Sequence, residues 1–371
     1  MKRKSSKEEF DSKRSNVGKI IFIFCLFFML VFVSAVSVTL GSYSITAAEV
    51  YSIILQCLFQ SPETTKEIIV CYLRLPRILM GILAGICLGI AGSIMRGVLK
   101  NPLASPYTLG IASSAVFGAV IATILGLGMI PIIGKYYIIG VAFIFALVTS
   151  LFILYLANRI GATPFGIVVI TVVGIAIMLL FAYLTIRVFI FFEPEAIKVA
   201  YFLMLGDLGR ASWDYLLPTF VILFVCCFLL LIIVHILGYK YKSWDFSAIE
   251  IGTNKNEDQR KGIKRIRAFL IAIAALLVAT TVSFTGAIPF VGLIAPHIAY
   301  KTIGKDNRFL LIASALLGAL ILVGADTLAR RIMPPFIFPV GVITSLIGIP
   351  LFIYLLIILI FIMIFKEDKV S

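Results

Sequence analysis

The sequence predicts an all-α polytopic membrane protein with about ten transmembrane helices, and three observations support this fold class. Of its 371 residues, 61% are hydrophobic and only 13% are charged, whereas a soluble domain is nearer half apolar and about a quarter charged. The apolar residues form long continuous runs, most of about the twenty residues that a membrane helix needs. These runs lack the alternation over roughly ten residues that is typical of strands in a membrane barrel.

Ten apolar runs are predicted to be spans. They lie at 20–40, 70–96, 105–127, 134–157, 164–188, 215–238, 266–285, 289–303, 308–325 and 341–365. The first run follows a basic head, as in a signal peptide, but it is long enough for a full span and has no convincing cleavage site. We expect residues 1–19 to be a disordered basic cytoplasmic tail, 20–365 to form a single transmembrane domain, and 366–371 to be a second cytoplasmic tail.

The apolar pattern is interrupted near its C-terminal third. A polar, glycine- and proline-containing stretch at 283–289 and a proline at position 296 predict two helix breaks. Such breaks are tolerated at membrane depth only where protein or a watery cavity satisfies the freed backbone groups.

The charge distribution predicts the orientation in the cell membrane. A formal net charge of +14 can indicate a nucleic-acid partner, but membrane proteins also collect basic residues in their cytoplasmic loops. Most of the 32 Lys and Arg residues fall on the side of the predicted spans that holds both termini. We therefore expect both termini to be cytoplasmic and no nucleic-acid partner.

The six cysteines show no metal-binding spacing, and four of them fall inside apolar runs. Cys57 and Cys71 lie in or beside a predicted outer segment, where they could meet, but small apolar packing is the default expectation for them.

The sequence lacks the motifs of several function classes. It has no G-x-x-x-x-G-K-[ST] loop and no H-E-x-x-H motif, and it contains only two histidines. These absences argue against ATP hydrolysis or metal-dependent hydrolysis by this chain, so we expect no enzymatic activity, cofactor or metal. All acidic residues lie near predicted helix ends or in loops. This counts modestly against an ion-coupled secondary transporter, which needs sites near the midplane.

Residues 72–110 contain the most unusual set of side chains. Arg74 and Arg77 lie on either side of a proline at the start of an apolar run, where arginines are costly and seldom lack a role. Small residues four apart allow two helices to approach closely. We therefore predict helix packing for Gly81, Gly85, Gly89 and Gly92.

The segment 238–267 is the longest and most charged predicted cytoplasmic loop. It contains a short amphipathic stretch that ends at Gly252. The residues alone leave two interpretations open, a solvated loop and a docking site for a cytosolic protein.

Four blocks occur in one order along the chain. They are Leu73–Arg77, Lys100–Pro106 with Leu109–Gly110, Phe284–His297, and Gly324–Arg330 followed by Pro339–Thr344 and Gly348–Pro350. In this order and spacing, the chain resembles the FecCD family of bacterial and archaeal ABC importer permeases for iron chelates and cobalamin. The resemblance extends over roughly residues 20 to 365.

The resemblance implies the type II ABC importer permease fold. It implies the membrane subunit of an importer that moves an iron chelate (siderophore or haem) or cobalamin inward by alternating access. The implied partners are a second permease, as a homodimer or a heterodimer with a paralogue, a cytosolic P-loop ATPase dimer and an extracytoplasmic substrate-binding protein. An ion-coupled secondary transporter remains the alternative.

The resemblance also implies roles for particular residues. Arginines in the first and fourth blocks would dock the binding protein; an alternative role is to anchor helix ends among headgroups. These arginines are Arg74, Arg77 and Arg330, with Arg331 as a basic neighbour. A segment of the 238–267 loop would couple to the ATPase. Its predicted contact residues are Asp245, Ala248, Ile249, Ile251 and Gly252.

The cytoplasmic mouth is predicted at the second block. Its residues are Arg96, Asn101, Pro102 and Pro106. Arg96 departs from the family, which commonly has glutamine there, and its charge predicts a phosphate, a substrate carboxylate or a neighbouring acid as partner. We interpret His297 as structural, with a haem-ligand role as the alternative, and we expect Asp326 and Arg330 to pair across one helical turn.

Overall fold

A computed structural model describes residues 2–367 except 42, 58, 127–129, 131–132, 162, 191–202, 242–256 and 333–337. Within these ranges it places side chains from residue 16 to 362, apart from 189–190, 238, 240–241 and 257–261. The helices are α1 (Lys2–Thr39), α2 (Ala47–Gln56), α3 (Thr65–Leu99), α4 (Ile111–Ile124), α5 (Gly134–Ile160), α6 (Pro164–Ile190), α7 (Trp213–Tyr241), α8 (Glu257–Thr285), α9 (Val291–Ile303), α10 (Asn307–Arg331) and α11 (Val340–Glu367).

Eight helices in the described ranges are long and apolar enough to cross a membrane, namely α1, α3, α5, α6, α7, α8, α10 and α11. The predicted spans at 105–127 and 289–303 correspond to α4 and α9, which have only 14 and 13 residues. At 1.5 Å per residue they rise about 20 Å, less than the ~30 Å hydrocarbon core. The expectation of about ten full spans is therefore approximate, because irregular backbone precedes each short helix.

Helix α1 begins at Lys2, within the basic head for which the sequence predicts disorder. Its apolar part, Asn16–Thr39, is the candidate span. The assignment of residues 1–19 as a cytoplasmic tail stays a prediction.

The predicted break before α9 is confirmed, since α8 ends at Thr285 and α9 begins at Val291. Backbone of the segment that precedes α7 satisfies the freed groups. The Asp207 N–H donates to the Thr285 carbonyl at 2.8 Å, and the Ala287 N–H donates to the Leu203 carbonyl at 2.8 Å. Protein therefore replaces water at this break, as membrane depth requires.

The break predicted at Pro296 is wrong, because this proline lies inside α9. Proline has no N–H to bond the carbonyl of Gly292, four residues earlier. That carbonyl lies against Gly92 of α3, on a face where the two backbones touch. Close helix packing thus accommodates the missing hydrogen bond without ending the helix.

Helices α3, α8 and α10 form the centre of the domain. In their most apolar windows, 78%, 72% and 61% of residues are buried, against 17% for α1 and α11. Helix α3 lies against α7, α8, α9 and α10, while α4 packs on α5, α6 and α8. The central helices are therefore protein-packed, and α1 and α11 present apolar faces outward.

The four glycines predicted for helix packing all lie at contacts of α3. A Cβ on Gly85 would stand 2.5 Å from the Gly318 carbonyl oxygen of α10, and a Cβ on Gly89 would meet the Ser314 carbonyl. Gly92 faces α9, and Gly81 faces side chains of Leu208 and Val323. These positions allow backbone-to-backbone approach between α3 and its neighbours.

Cys57 and Cys71 form a disulfide with a Cα–Cα distance of 6.6 Å, so the default expectation of small apolar packing is wrong for this pair. The bond ties the end of α2 to the first turns of α3. Glu49 of α2 also accepts a hydrogen bond from Lys66 at 2.8 Å. The hydrogen bonds from Lys66 and from the Thr46 backbone N–H lower the pKa of Glu49 to about 2. A disulfide needs an oxidising compartment, which agrees with the predicted outer position.

Replacing Gly89 by alanine tests the close contact between α3 and α10. The added Cβ meets the Ser314 carbonyl, so we expect the free energy of unfolding to fall by about 1–3 kcal/mol, the usual cost of overpacking. The loss of stability is measured as a fall in the midpoint of thermal melting, which is followed by size-exclusion chromatography. The matched control is Gly140→Ala on exposed α5, where nothing lies within 4 Å of the added Cβ. Equal melting midpoints for the two variants would contradict the contact.

Candidate functional site

The two ends of α3 carry the candidate functional residues. Arg74 and Arg77 lie at its predicted outer end, and Arg96 lies in its last turn at the predicted cytoplasmic end. We call the group formed by Arg74, Arg77, Asp326 and Arg330 the outer arginine network.

Asp326 of α10 is the centre of the outer arginine network and is 2% exposed. Arg77 donates two hydrogen bonds to its carboxylate, from Nε to Oδ1 at 2.9 Å and from Nη2 to Oδ1 at 2.8 Å. Arg330 donates from Nε to Oδ2 at 3.0 Å, which confirms the predicted pair across one turn. Asp207 lies 3.7 Å from Arg77 and adds a second carboxylate. Burial of these charges is tolerable because each one is paired.

The remaining donors of the network bind the C-terminal end of α1. Arg330 donates to the Leu40 carbonyl at 2.6 Å and to Ser37 Oγ at 2.8 Å. Arg74 donates to the Val38 carbonyl at 3.0 Å and to the Tyr43 carbonyl at 2.6 Å. The last carbonyls of a helix have no intrahelical partner and favour cations. The two arginines therefore cap α1 and fix it against α3 and α10.

A π-helical turn at Ile69–Arg74 precedes the proline of the first block. The Leu75 N–H bonds the Val70 carbonyl, and Pro76 has no N–H to offer the Cys71 carbonyl. Trp213 Nε1 donates to that carbonyl at 2.9 Å instead. The proline thus explains both the wide turn and the attachment of α7 to the outer end of α3.

The three arginines predicted to dock a binding protein are buried, with Arg74 5%, Arg77 9% and Arg330 6% exposed. This geometry favours the alternative of anchoring a helix end, although the anchor is α1 and not a lipid headgroup. Their docking role stays a prediction. Arg331 and Arg210 are exposed close by. Sequence reasoning missed Asp207 and Trp213, which lie far from their partners along the chain and in no shared motif.

The second block forms a buried turn at the predicted mouth. Asn101 accepts the Leu103 N–H at 2.8 Å and donates to Thr171 of α6 at 3.3 Å. Pro102 is half-buried, while Pro106 is buried against Gly292 of α9. These contacts join the turn after α3 to α6 and α9.

Arg96 contacts α9. Its guanidinium stacks over the Tyr300 ring at 4.1 Å, and Nη1 lies 3.3 Å from the Pro296 carbonyl and 3.5 Å from His297 Nδ1. Of the three partners that the sequence leaves open for Arg96, no neighbouring acid pairs with it in the described ranges.

The predicted coupling residues Asp245, Ala248, Ile249, Ile251 and Gly252 lie outside the described residues. Helices α7 and α8, which flank them, are described. Arg267 of α8 donates to the Val98 carbonyl of α3 at 2.7 Å, so α8 is joined directly to the last turn of α3.

Comparison with a solved structure identifies the fold. A chain of a metal-chelate type ABC transporter in an inward-facing conformation superposes with a TM-score of 0.67 and 24% identity, over 89% of this chain and 96% of that chain. At this identity the likeness shows the fold alone. This chain therefore shares the polytopic helical fold of that transporter chain.

Sequence comparison identifies the family. The sequence matches the FecCD transport family over residues 29–358. The Fe(3+)-citrate import system permease of Bacillus subtilis is 33% identical over 92% of this chain and 96% of that protein. The cobalamin import system permease of Halobacterium salinarum is 33% identical over 80% and 75%. A Methanocaldococcus jannaschii protein, named as an ABC transporter permease without a substrate, is 36% identical over 91% and 94%. This chain belongs to the FecCD transport family.

Replacing Asp326 by asparagine tests the outer arginine network. The substitution leaves the buried guanidinium groups of Arg77 and Arg330 without their shared carboxylate. We expect a loss of about 3–5 kcal/mol in stability, as when one partner of a buried pair is removed. Thermal melting in detergent measures it, and Asp214→Asn, at an exposed carboxylate, is the matched control. If the Asp326→Asn and Asp214→Asn variants have the same melting midpoint, the Asp326 carboxylate does not hold these helices together.

Proposed function

We propose that this chain is the membrane subunit of an importer that moves an iron chelate or cobalamin into the cell. The family match over residues 29–358 carries this proposal, and relatives named for Fe(3+)-citrate, cobalamin and hemin transport support the substrate class. FecCD proteins are ABC permease subunits, which transport and do not catalyse. The energy for transport therefore comes from ATP hydrolysis by a separate cytosolic subunit, which shifts the populations of inward- and outward-facing states. A second permease, identical or paralogous, completes the pathway.

The ATPase docks at the loop between α7 and α8 in this proposal. The contact from Arg267 to the Val98 carbonyl supports it, because it joins the helix that follows the loop to α3. A push on the loop is thereby passed to a helix that contacts α7, α8, α9 and α10. Ile249 and Ile251 supply the apolar contact with the ATPase.

Co-purification with the P-loop ATPase of the proposed importer tests the coupling proposal. We expect the wild-type chain to retain the ATPase in detergent, and the Ile249→Asp/Ile251→Asp variant to lose it, because two carboxylates would be buried unpaired. The conservative pair Ile249→Leu/Ile251→Leu is the control and should retain it. Substrate uptake that persists in cells without the ATPase would instead indicate the secondary transporter.

The substrate-binding protein docks over the outer arginine network in this proposal. Arg74, Arg77 and Arg330 hold the surface in place, while the exposed side chains of Arg210 and Arg331 present positive charge to it. Gly209, beside Arg210, lies against the Arg77 guanidinium, which places this exposed charge next to the network. Rim charges of this kind steer encounter and fix register more than they add affinity.

Charge reversal at the exposed arginines tests the docking proposal. We expect Arg210→Glu/Arg331→Glu to slow association with the binding protein by roughly tenfold at low salt, and by much less at high salt, because screening weakens steering. Biolayer interferometry on the reconstituted permease complex measures the rate. Arg159→Glu, an exposed arginine on the predicted cytoplasmic side, is the matched control. Equal rates for both variants would place docking elsewhere.

A further inference from the structure

Helix α2 buries one apolar face and exposes another. On the buried face, Val50 and Ile53 pack with apolar side chains of α1, α3 and α10. With about 3.6 residues per turn, Tyr51 and Leu55 lie on nearly the opposite side of the helix, where Tyr51 is half-exposed and Leu55 is 63% exposed. Phe59, in the turn that follows α2, is 87% exposed. Exposed apolar groups that cluster in this way indicate a surface that contacts a partner.

A hydrogen bond places Tyr51 beside a membrane helix. Its hydroxyl donates to the Ala35 carbonyl of α1 at 2.9 Å, and Ala35 lies near the end of the candidate span Asn16–Thr39. The Tyr51 hydroxyl is therefore at the depth where α1 leaves the membrane. Exposed apolar side chains of α1, spaced four residues apart on one face, reach the same level, so lipid that contacts them also reaches Tyr51. These side chains are Phe28, Phe32 and Val36.

The chemistry of α2 fits the boundary between membrane and water. Tyrosine is enriched there because its ring is apolar and its hydroxyl can bond a polar group. The charged side chain of α2, Glu49, lies on a third side of the helix and pairs with Lys66, and both are half-exposed. A helix with an apolar face, a buried face and a charged edge suits a position in the interface plane, where only the apolar face meets acyl chains.

We propose that α2 is an interfacial helix whose exposed face, formed by Tyr51, Leu55 and Phe59, contacts the phospholipids around the outer end of α1. The disulfide between Cys57 and Cys71 joins the end of α2 to the first turns of α3. The lipid contact therefore also holds the outer end of α3 at the membrane surface. The inference does not depend on the proposed transport function, since it concerns how the chain sits in the bilayer.

Methionine-methyl NMR of the full chain in phospholipid nanodiscs tests the contact. Leu55→Met adds one ¹³C-labelled methyl group to those of the nine native methionines, and comparison with the wild-type spectrum identifies its signal. Two relaxation agents are then used separately, a phosphatidylcholine with a nitroxide near its headgroup and a water-soluble gadolinium chelate. We expect the Leu55→Met signal to lose most of its intensity with the spin-labelled lipid and little with the chelate. Phe59→Met should behave in the same way.

Glu63→Met is the matched control, because Glu63 is exposed in the polar stretch between α2 and α3. Its signal should respond to the chelate and not to the lipid. The proposal is overturned if the spin-labelled lipid broadens Leu55→Met no more than Glu63→Met, because the face then lies in water. Protection of Leu55→Met from both agents also overturns it, and indicates that protein, such as a second copy of the chain, covers this face.

Discussion

The close approach of the α3 backbone to α10 and α9 is the constraint on which the rest of the structure depends. In lipid no hydrophobic force draws helices together, so van der Waals packing and hydrogen bonds must do so. Gly85, Gly89 and Gly92 allow carbonyls of the neighbouring helices to touch α3. Helix α3 thereby becomes a fixed axis, and at 1.5 Å per residue it separates Arg77 from Arg96 by about 29 Å, close to the hydrocarbon thickness. Each end therefore lies near a membrane boundary.

At the outer end of α3, the buried charges depend on one another for their hydrogen bonds. Asp326 compensates two guanidinium groups at once, and the donors that remain are satisfied by carbonyls at the end of α1. A buried ion loses its hydration and regains stability only when all its hydrogen bonds are made. Helix α1, whose own apolar window is only 17% buried, is therefore held at this end by polar contacts more than by an apolar interface.

The sequence predicts what depends on local pattern. Apolar runs give the existence of the helices, the stretch at 283–289 gives the break before α9, and spacing of four gives both the glycine contacts and the Asp326–Arg330 pair. The sequence does not predict contacts that a side chain makes with backbone or side chains far away along the chain. The carbonyls that bind Arg74 and Arg330 leave no mark in a residue pattern, and Arg77 is 249 residues from Asp326. The short length of α4 is also not predicted, because hydropathy counts the buried turn at 105–110 as part of the span.

Arg77 and Arg96 show how one residue type acquires two roles on one helix. The Nε and Nη2 edge of Arg77 is occupied by a carboxylate of the chain, so its charge is used within the fold. The same edge of Arg96 has no acceptor among the described residues. Arg96 instead contacts α9 with Nη1, which lies 3.3 Å from the Pro296 carbonyl, and with the face of its guanidinium, which stacks on Tyr300. Arg77 therefore joins α3 to α10 through an ion pair, whereas Arg96 joins α3 to α9 through a backbone carbonyl and an aromatic ring.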